Sequence, residues 1–285
     1  MQQNRMAVLI TSCDAYEDVW DIFFSLMDRY WAEPGGISYN VYLNTETKEY
    51  NKKFQNFQVQ SLNLRGKLAK KKNVTWSRRM LDVLERIDEE YVFILVEDFF
   101  LRERVQTELI EELLDRMDAD QSIGQIQLFG TRLNCDAERV NQLSSEIKME
   151  QIGDNKAKVV FVPVIWRKSV LKKWMRAHES IWNFESCGAK RAKRWRYKEK
   201  VFRVEAPAVF NYLWEKGCYC VVNGKWMRHP LLDELFEKNN ISVDYEKRGT
   251  ITMEQWQAVD LKTIMERYTL SQIIVKVFNR IRSFF

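Results

Sequence analysis

The stretch YVFILVEDFFL, from Tyr91 to Leu101, decides the fold. It begins with an apolar run from Tyr91 to Val96 that is rich in β-branched and aromatic side chains. A run this short and continuous predicts a strand buried on both faces, as in a parallel sheet covered by helices. Two adjacent carboxylates, Glu97 and Asp98, end the run. Ligands of open α/β sheets bind outside the carboxyl ends of strands, so the pair could hold a divalent ion. The same two acids would also suit the first turn of a following helix.

The flanking sequence alternates between strand and helix patterns. Strands are predicted over residues 6–11, 38–43, 57–62 and 123–129, with short ones over 201–204 and 218–222. Helices are predicted over residues 19–30, 75–89, 109–117 and 167–175. Residues 146–152 and 158–165, with Gly153-Asp154-Asn155 between them, predict a β-hairpin. This order indicates an α/β fold with a mostly parallel central sheet flanked by helices.

Composition narrows the class of protein. The chain has 285 residues, 46% of them hydrophobic, with only 10 Gly and 4 Pro, which is typical of a globular protein. A net charge of +5 is too small to indicate nucleic-acid binding by itself. The five Cys form no CxxC pair, which favours reduced thiols in the cytoplasm. The polar residues before the first strand do not resemble a signal peptide, and no apolar run approaches the length of a membrane span.

Several short segments, taken in order, resemble bacterial glycosyltransferases of the GT-A type, the kind encoded with capsular polysaccharide and lipopolysaccharide biosynthesis. The segments are residues 9–14, 75–80, 91–101, 165–168, 179–185 and 224–226. The resemblance implies a Rossmann-like catalytic domain over residues 1–248. It also implies transfer of a hexosyl group from a nucleotide-diphosphate sugar to a hydroxyl of a glycan or polyprenyl-linked acceptor. One motif departs from the family: its usual Asp-x-Asp metal motif is replaced by adjacent Glu97 and Asp98, whose side chains point to opposite faces if the strand continues.

The resemblance also implies a donor site. Its predicted members are Thr11 and Asp14 for the nucleoside, Arg78 and Arg79 for the diphosphate, and Asp98 with His229 for the metal. Glu97 is predicted to be either the partner of Asp98 at the metal or a sugar-binding group. Mn²⁺ or Mg²⁺ would neutralise the departing diphosphate, and guanidinium groups bind diphosphate oxygens bidentately. The alternatives are that the arginines lie on a solvated helix face and that His229 is structural.

The acceptor side is predicted around Trp182 and Phe184, because an aromatic face beside carboxylates is a common way to hold a sugar ring. An inverting reaction needs a base, and carboxylates serve this role. Glu185 is favoured for it, with Glu179 as the second candidate, and Asp98 completes the predicted catalytic set. The alternative is that Glu179 caps a helix and Glu185 is an ordinary surface residue.

Two basic segments leave further interpretations open. Residues 249–285 are predicted to form a helical extension whose apolar stripe lies beside Lys276, Arg280 and Arg282. Such a helix can lie on an anionic membrane at the inner face of the cell membrane, or pack on the domain or on a second subunit. Residues 190–198 are also rich in Lys and Arg. The runner-up function is therefore a non-catalytic binder of nucleic acid or of an anionic surface; under the transferase interpretation no nucleic acid is expected.

Overall fold

The computed structural model describes residues 4–71, 73–128, 147–154, 158–161, 163–194, 196–206, 208–213 and 219–258. Within these ranges eight strands form one sheet and three form a second. The strands of the large sheet are β1 (Met6–Thr11), β2 (Asn40–Asn44), β3 (Val59–Ser61), β4 (Tyr91–Val96), β5 (Ile123–Gln127), β6 (Lys148–Gln151), β7 (Val164–Arg167) and β8 (Lys200–Ala206). Those of the small sheet are β9 (Val221–Val222), β10 (Lys225–Met227) and β11 (Thr250–Ile251).

Helices alternate with these strands along the described part of the chain. They are α1 (Glu17–Tyr30), α2 (Gly66–Ala69), α3 (Trp76–Leu84), α4 (Thr107–Ala119), α5 (Lys168–Trp174), α6 (Ile181–Asn183), α7 (Ala189–Arg191), α8 (Pro230–Lys238), α9 (Tyr245–Arg248) and α10 (Met253–Gln257). A 3₁₀ turn, Asp14–Tyr16, precedes α1, and a π-helical turn, Phe184–Gly188, joins α6 to α7.

The large sheet has the order β3-β2-β1-β4-β7-β5-β8-β6. Its β3, β2, β1 and β4 strands run parallel, as do β5 and β8, while β7 is antiparallel to both of its neighbours. This confirms the predicted α/β class with a mostly parallel sheet. The predicted hairpin is wrong, because β6 pairs with β8 and β7 lies between β4 and β5. Alternating polarity and a turn motif indicate that two strands exist, but they do not specify which neighbours those strands find.

Side chains of β1 and β4 alternate between two buried layers, one on each face of the sheet. Met6, Val8 and Ile10 face the layer that includes α1 and α4, whereas Ala7 and Leu9 face the layer that includes α3 and α5. All of these side chains are completely buried. The continuous apolar runs therefore reflect burial on both faces, as the sequence predicts.

Residues 259–285, which carry most of the predicted amphipathic helix, lie outside the described ranges. None of the helices within those ranges has both the length and the apolar character that crossing a membrane requires.

Candidate active site

The carboxyl ends of β1 and β4 bring two polar segments side by side. Thr11 and Val96 are paired residues in parallel register, so the chain continues from them into Ser12 and Glu97 at the same edge of the sheet. Ser12 is buried, and its backbone N–H donates to the carbonyl oxygen of Asn44 in β2 at 2.9 Å. Three strand ends thus frame one polar edge, as expected for the ligand side of an open α/β sheet.

Glu97 and Asp98 form a carboxylate pair at this edge. Glu97 is 7% exposed, and Asp98 is half-buried. Burial, and next the charge of Asp98, raise the pKa of Glu97, while a hydrogen bond with Ser12 and the charge of Arg79 oppose that rise. Burial also raises the pKa of Asp98. Two poorly solvated, like-charged groups therefore share a site where an added cation would be strongly stabilised.

Arg79 is the cation that α3 supplies to this edge. Its side chain is 6% exposed, and its Nη1 donates to the carbonyl oxygen of Ser12 at 3.1 Å and forms an ion pair with Glu46 Oε1 at 2.8 Å. Its buried Nε has no hydrogen-bond partner among the described residues. Arg79 thus reaches the polar edge, where its Nε hydrogen has no acceptor in the described part of the chain.

Two residues of the β1–α1 turn join the edge although they were not predicted as site residues. Burial, followed by the charges of Glu97 and Glu46, raises the pKa of Cys13. Burial, followed by the charges of Glu97 and Asp98, raises the pKa of Tyr16 to about 12. The signal that could have found them is positional, since the turn after the first strand of such a sheet commonly contacts the ligand.

The turn is held from the C-terminal part of the chain by Arg248. Its Nε donates to Asp18 Oδ2 at 2.9 Å, and its Nη2 donates to the carbonyl oxygen of Ala15 at 3.0 Å. The guanidinium carbon lies 4.7 Å from the ring centroid of Tyr16. The side chains of Arg248 and Asp18 are 8% and 16% exposed, so this is a largely buried contact. It fixes the turn, and with it Tyr16, beside the carboxylate pair.

Thr11 and Asp14 lie at the predicted edge, but their side chains already have partners. The hydroxyl of Thr11 accepts a hydrogen bond from Trp76 Nε1 at 2.7 Å. The carboxylate of Asp14 accepts from the backbone N–H groups of residues 46, 47 and 48 at 3.1 to 3.2 Å. Although burial acts to raise it, the pKa of Asp14 is lowered by hydrogen bonds from Thr47 and these amides. Both side chains therefore shape the wall of the site.

Trp76 connects the donor edge to the predicted acceptor side. Besides its bond to Thr11, its ring stacks on Phe184 with the centroids 5.8 Å apart and the planes 30° apart. Phe184 is 1% exposed, which corrects the prediction that its ring contacts the acceptor. It anchors the helical segment to the core, whereas Trp182 on the same segment is 71% exposed and presents a free aromatic surface.

The two acidic residues on that segment have different environments. Glu185 lies in the π-helical turn, is half-buried, and accepts a hydrogen bond from the backbone N–H of Phe161 at 3.3 Å. Burial raises its pKa, with that hydrogen bond opposing the rise. π-Helical turns inside helices occur frequently at functional sites. A half-buried carboxylate of raised pKa that no described cation pairs with is well suited to accept a proton.

Glu179 is not accessible, which corrects its prediction as a base. It is completely buried, and its two carboxylate oxygens accept from Arg191 at 2.5 and 2.8 Å. Arg191 is itself 1% exposed and also donates to the carbonyl oxygen of Trp174 at 2.9 Å. The pair is an internal ion pair that joins the start and the end of the segment carrying Trp182 and Glu185.

The remaining predicted residues are Arg78 and His229. Arg78 is exposed and lies in a separate groove, with no ion pair to any described residue. His229 is the N-cap of α8, where its Nδ1 accepts from the backbone N–H of Leu231 at 3.2 Å. That leaves only Nε2 of His229 for a metal. The two carboxylates fit a hard cation, but no group of three or more His, Cys, Asp or Glu in the described part of the chain forms a metal site.

Comparison with known proteins identifies no family. No protein-family model matches the chain, and no curated protein matches it. The solved structure of TarS residues 1–349 from S. aureus is similar over 73% of this chain and 60% of that one, with 11% identity and a TM-score of 0.44. The same fragment in complex with UDP-GlcNAc is similar over 86% of this chain and 69% of that one, with 11% identity and a TM-score of 0.41. A cytidylyltransferase from Leptospira borgpetersenii is similar over 72% of this chain and 77% of that one, with 10% identity and a TM-score of 0.41. At these values the likeness carries no conclusion about activity.

Proposed function

We propose that the protein is a glycosyltransferase of the GT-A type. It moves a hexosyl group from a nucleotide-diphosphate sugar to a hydroxyl of a glycan or polyprenyl-linked acceptor in bacterial surface polysaccharide biosynthesis, at the cytoplasmic face of the membrane. The observation that carries the proposal is the carboxylate pair Glu97–Asp98 at a sheet edge that also holds Arg79. A nucleic-acid binder would not be expected to place one buried and one half-buried acid at its ligand edge, because both repel phosphates.

The donor would lie across the ends of β1 and β4. The guanidinium of Arg79 supplies positive charge beside the carboxylate pair, while Cys13 and Tyr16 line the side where the nucleoside would sit. Thr11 and Asp14 act indirectly, by fixing Trp76 and the turn after β2. The diphosphate and the two acids are all anionic, so their approach requires compensation beyond a single guanidinium.

Mg²⁺ or Mn²⁺ would supply that compensation. Asp98, with Glu97 as its partner, would hold the ion, and the ion would neutralise charge on the leaving diphosphate. Burial raises the pKa of both carboxyls because it disfavours their charged forms, and a bound cation would stabilise those charged forms. His229 would contribute only through Nε2, because its Nδ1 caps α8.

The acceptor would lie against Trp182, with Glu185 as the base. In an inverting transfer the acceptor oxygen bonds to the anomeric carbon as the bond from that carbon to the diphosphate oxygen breaks. The hydroxyl proton passes to Glu185, and the nucleoside diphosphate leaves with the bonding electrons. Burial makes Glu185 a stronger base than an exposed glutamate, which favours proton transfer.

Nucleotide binding tests the proposal directly. Calorimetry of the full chain with UDP, GDP and CDP, each with and without Mn²⁺, should show metal-enhanced binding of at least one of them. Asp98→Asn should abolish the enhancement while leaving the fold intact. Absence of binding by all three at millimolar concentration would refute the proposed function.

A further inference from the structure

A basic groove opens at the N-terminal end of α3, separate from the carboxylate pair. Its volume is about 290 Å³, and it opens to solvent. The lining residues that matter here are Lys71, Asn73, Thr75, Arg78, Ala177 and His178. Lys71 and Arg78 are exposed, and neither forms an ion pair with any residue that the structure describes.

The segment of sequence that surrounds the groove is strongly basic. Residues 65–79 include seven Lys or Arg and no Asp or Glu. Protein surfaces usually intersperse charges of both signs, and a field of one sign attracts ligands of the other. A lysine and an arginine facing one concave site are the residues that bind phosphate oxygens, the arginine bidentately. The chemistry of the groove therefore favours a phosphoryl group.

The groove has a fixed wall. Thr75 donates its hydroxyl hydrogen to the carbonyl oxygen of Ala177, and Ser77 N–H donates to the carbonyl oxygen of Glu179 at 3.1 Å. These bonds hold α3 against the loop that leads into the segment carrying Trp182. The positions of Arg78 and of His178 are thus tied to the acceptor side of the proposed site.

The two adjacent arginines of α3 therefore face two different sites, the carboxylate pair and the groove. Successive residues of an α-helix project about 100° apart, so Arg79 reaches Ser12 while Arg78 faces the groove. The leaving diphosphate belongs on the side of Arg79 and the carboxylate pair. A second anion, bound by Arg78 and Lys71, would belong to the acceptor, since the donor diphosphate lies at the other site.

We propose that this groove binds a phosphate or diphosphate group of the acceptor. The inference rests on the proposed function, which makes the Trp182 side the acceptor side. Two sources carry this chemistry: a lipid-linked acceptor, whose diphosphate lies next to a polyprenyl chain, and a soluble glycan that bears phosphate groups.

The test compares three forms of the full chain: wild type, Lys71→Glu/Arg78→Glu, and the control Lys53→Glu/Lys225→Glu. The control reverses two exposed lysines outside the groove. Flotation with phosphatidylcholine vesicles containing a polyprenyl diphosphate tests the lipid source, and calorimetry with soluble polyphosphate tests the other. The groove variant should bind the preferred probe at least about tenfold more weakly than wild type and control, since each basic residue near an anionic surface contributes about fivefold. Affinity for UDP, GDP or CDP should remain unchanged in both variants.

The outcomes separate this proposal from the proposed function. Loss of vesicle binding alone supports a lipid-linked acceptor, and loss of polyphosphate binding alone supports a phosphate-bearing glycan. Equal binding of both probes by wild type and groove variant, or no binding of either probe by wild type, overturns the proposal. Loss of nucleotide binding in the groove variant also overturns it, because Arg78 would then serve the donor. If wild type binds polyphosphate through the groove but binds no nucleotide, the transferase function fails, and with it the assignment of the groove to an acceptor.

Discussion

Replacing Glu179 by Gln should destabilise the fold without removing a catalytic group. Glu179 is completely buried, and the guanidinium it binds is 1% exposed, so the variant leaves the charge of Arg191 buried without a counter-charge. Removing one partner of a buried pair costs about 3–5 kcal/mol. The amide oxygen of Gln retains one hydrogen bond, and Trp174 accepts another, which places the expected loss near the lower limit, about 3 kcal/mol. That is a large part of the 5–15 kcal/mol typical of a folded domain.

Urea unfolding followed by tryptophan fluorescence measures this loss, and Glu185→Gln is the matched control. Glu185 is half-buried, and no described cation pairs with it, so its variant should stay within about 1 kcal/mol of wild type. The double variant Glu179→Met/Arg191→Met should recover part of the loss, because it removes both buried charges together. The reasoning is refuted if Glu179→Gln keeps the wild-type free energy of unfolding to within about 1 kcal/mol. Full stability with lost turnover would return Glu179 to the catalytic set.

Four further predictions concern the base, the carboxylate pair and the extension. Glu185→Gln should lower kcat by about a hundredfold or more with donor affinity unchanged, as turnover assays and calorimetry would show; near-normal turnover would exclude it as the base. Because burial raises the pKa of Glu185, its base form appears only as pH rises through that raised value, so wild-type kcat/KM should increase with pH over a range above that of ordinary carboxyls. Folding favours protonated Asp98, so its contribution to stability is present at low pH and is lost as pH rises through its raised pKa; Asp98→Asn should therefore melt higher than wild type at pH 8 but not at pH 4. Truncation after Ala258 should abolish co-sedimentation with anionic liposomes while nucleotide binding persists; unfolding of the truncated chain would assign residues 259–285 to the core.

Much of the sheet could be predicted because strands that are buried on both faces appear in the sequence as continuous apolar runs. β1 and β4 begin and end at the predicted residues, and Glu97 and Asp98 follow β4 as expected. The failure at β6 and β7 has a physical origin, since pairing depends on contacts with β4, β5 and β8 that lie far away along the chain. The sequence of a strand alone therefore does not predict which strands it pairs with.

The site was harder to predict because side-chain roles depend on direction and on distant partners. Arg78 and Arg79 are chemically identical neighbours, and only the rotation of α3 separates the groove from the donor edge. Glu179 and Glu185 flank the same tryptophan, yet Arg191 buries one of them in an ion pair. No pattern in the primary structure distinguishes these cases.

The contact between Arg248 and Asp18 has a consequence for biosynthesis. The two residues are 230 positions apart, and the bond holds the turn that follows the first strand. At translation rates of 5–20 residues per second, roughly 12–46 seconds would separate the synthesis of Asp18 from that of Arg248. The turn after β1 therefore acquires its final contacts only after residue 248 has been synthesised, and a ribosome-bound chain that stops short of residue 248 would hold Tyr16 without the guanidinium that contacts its ring.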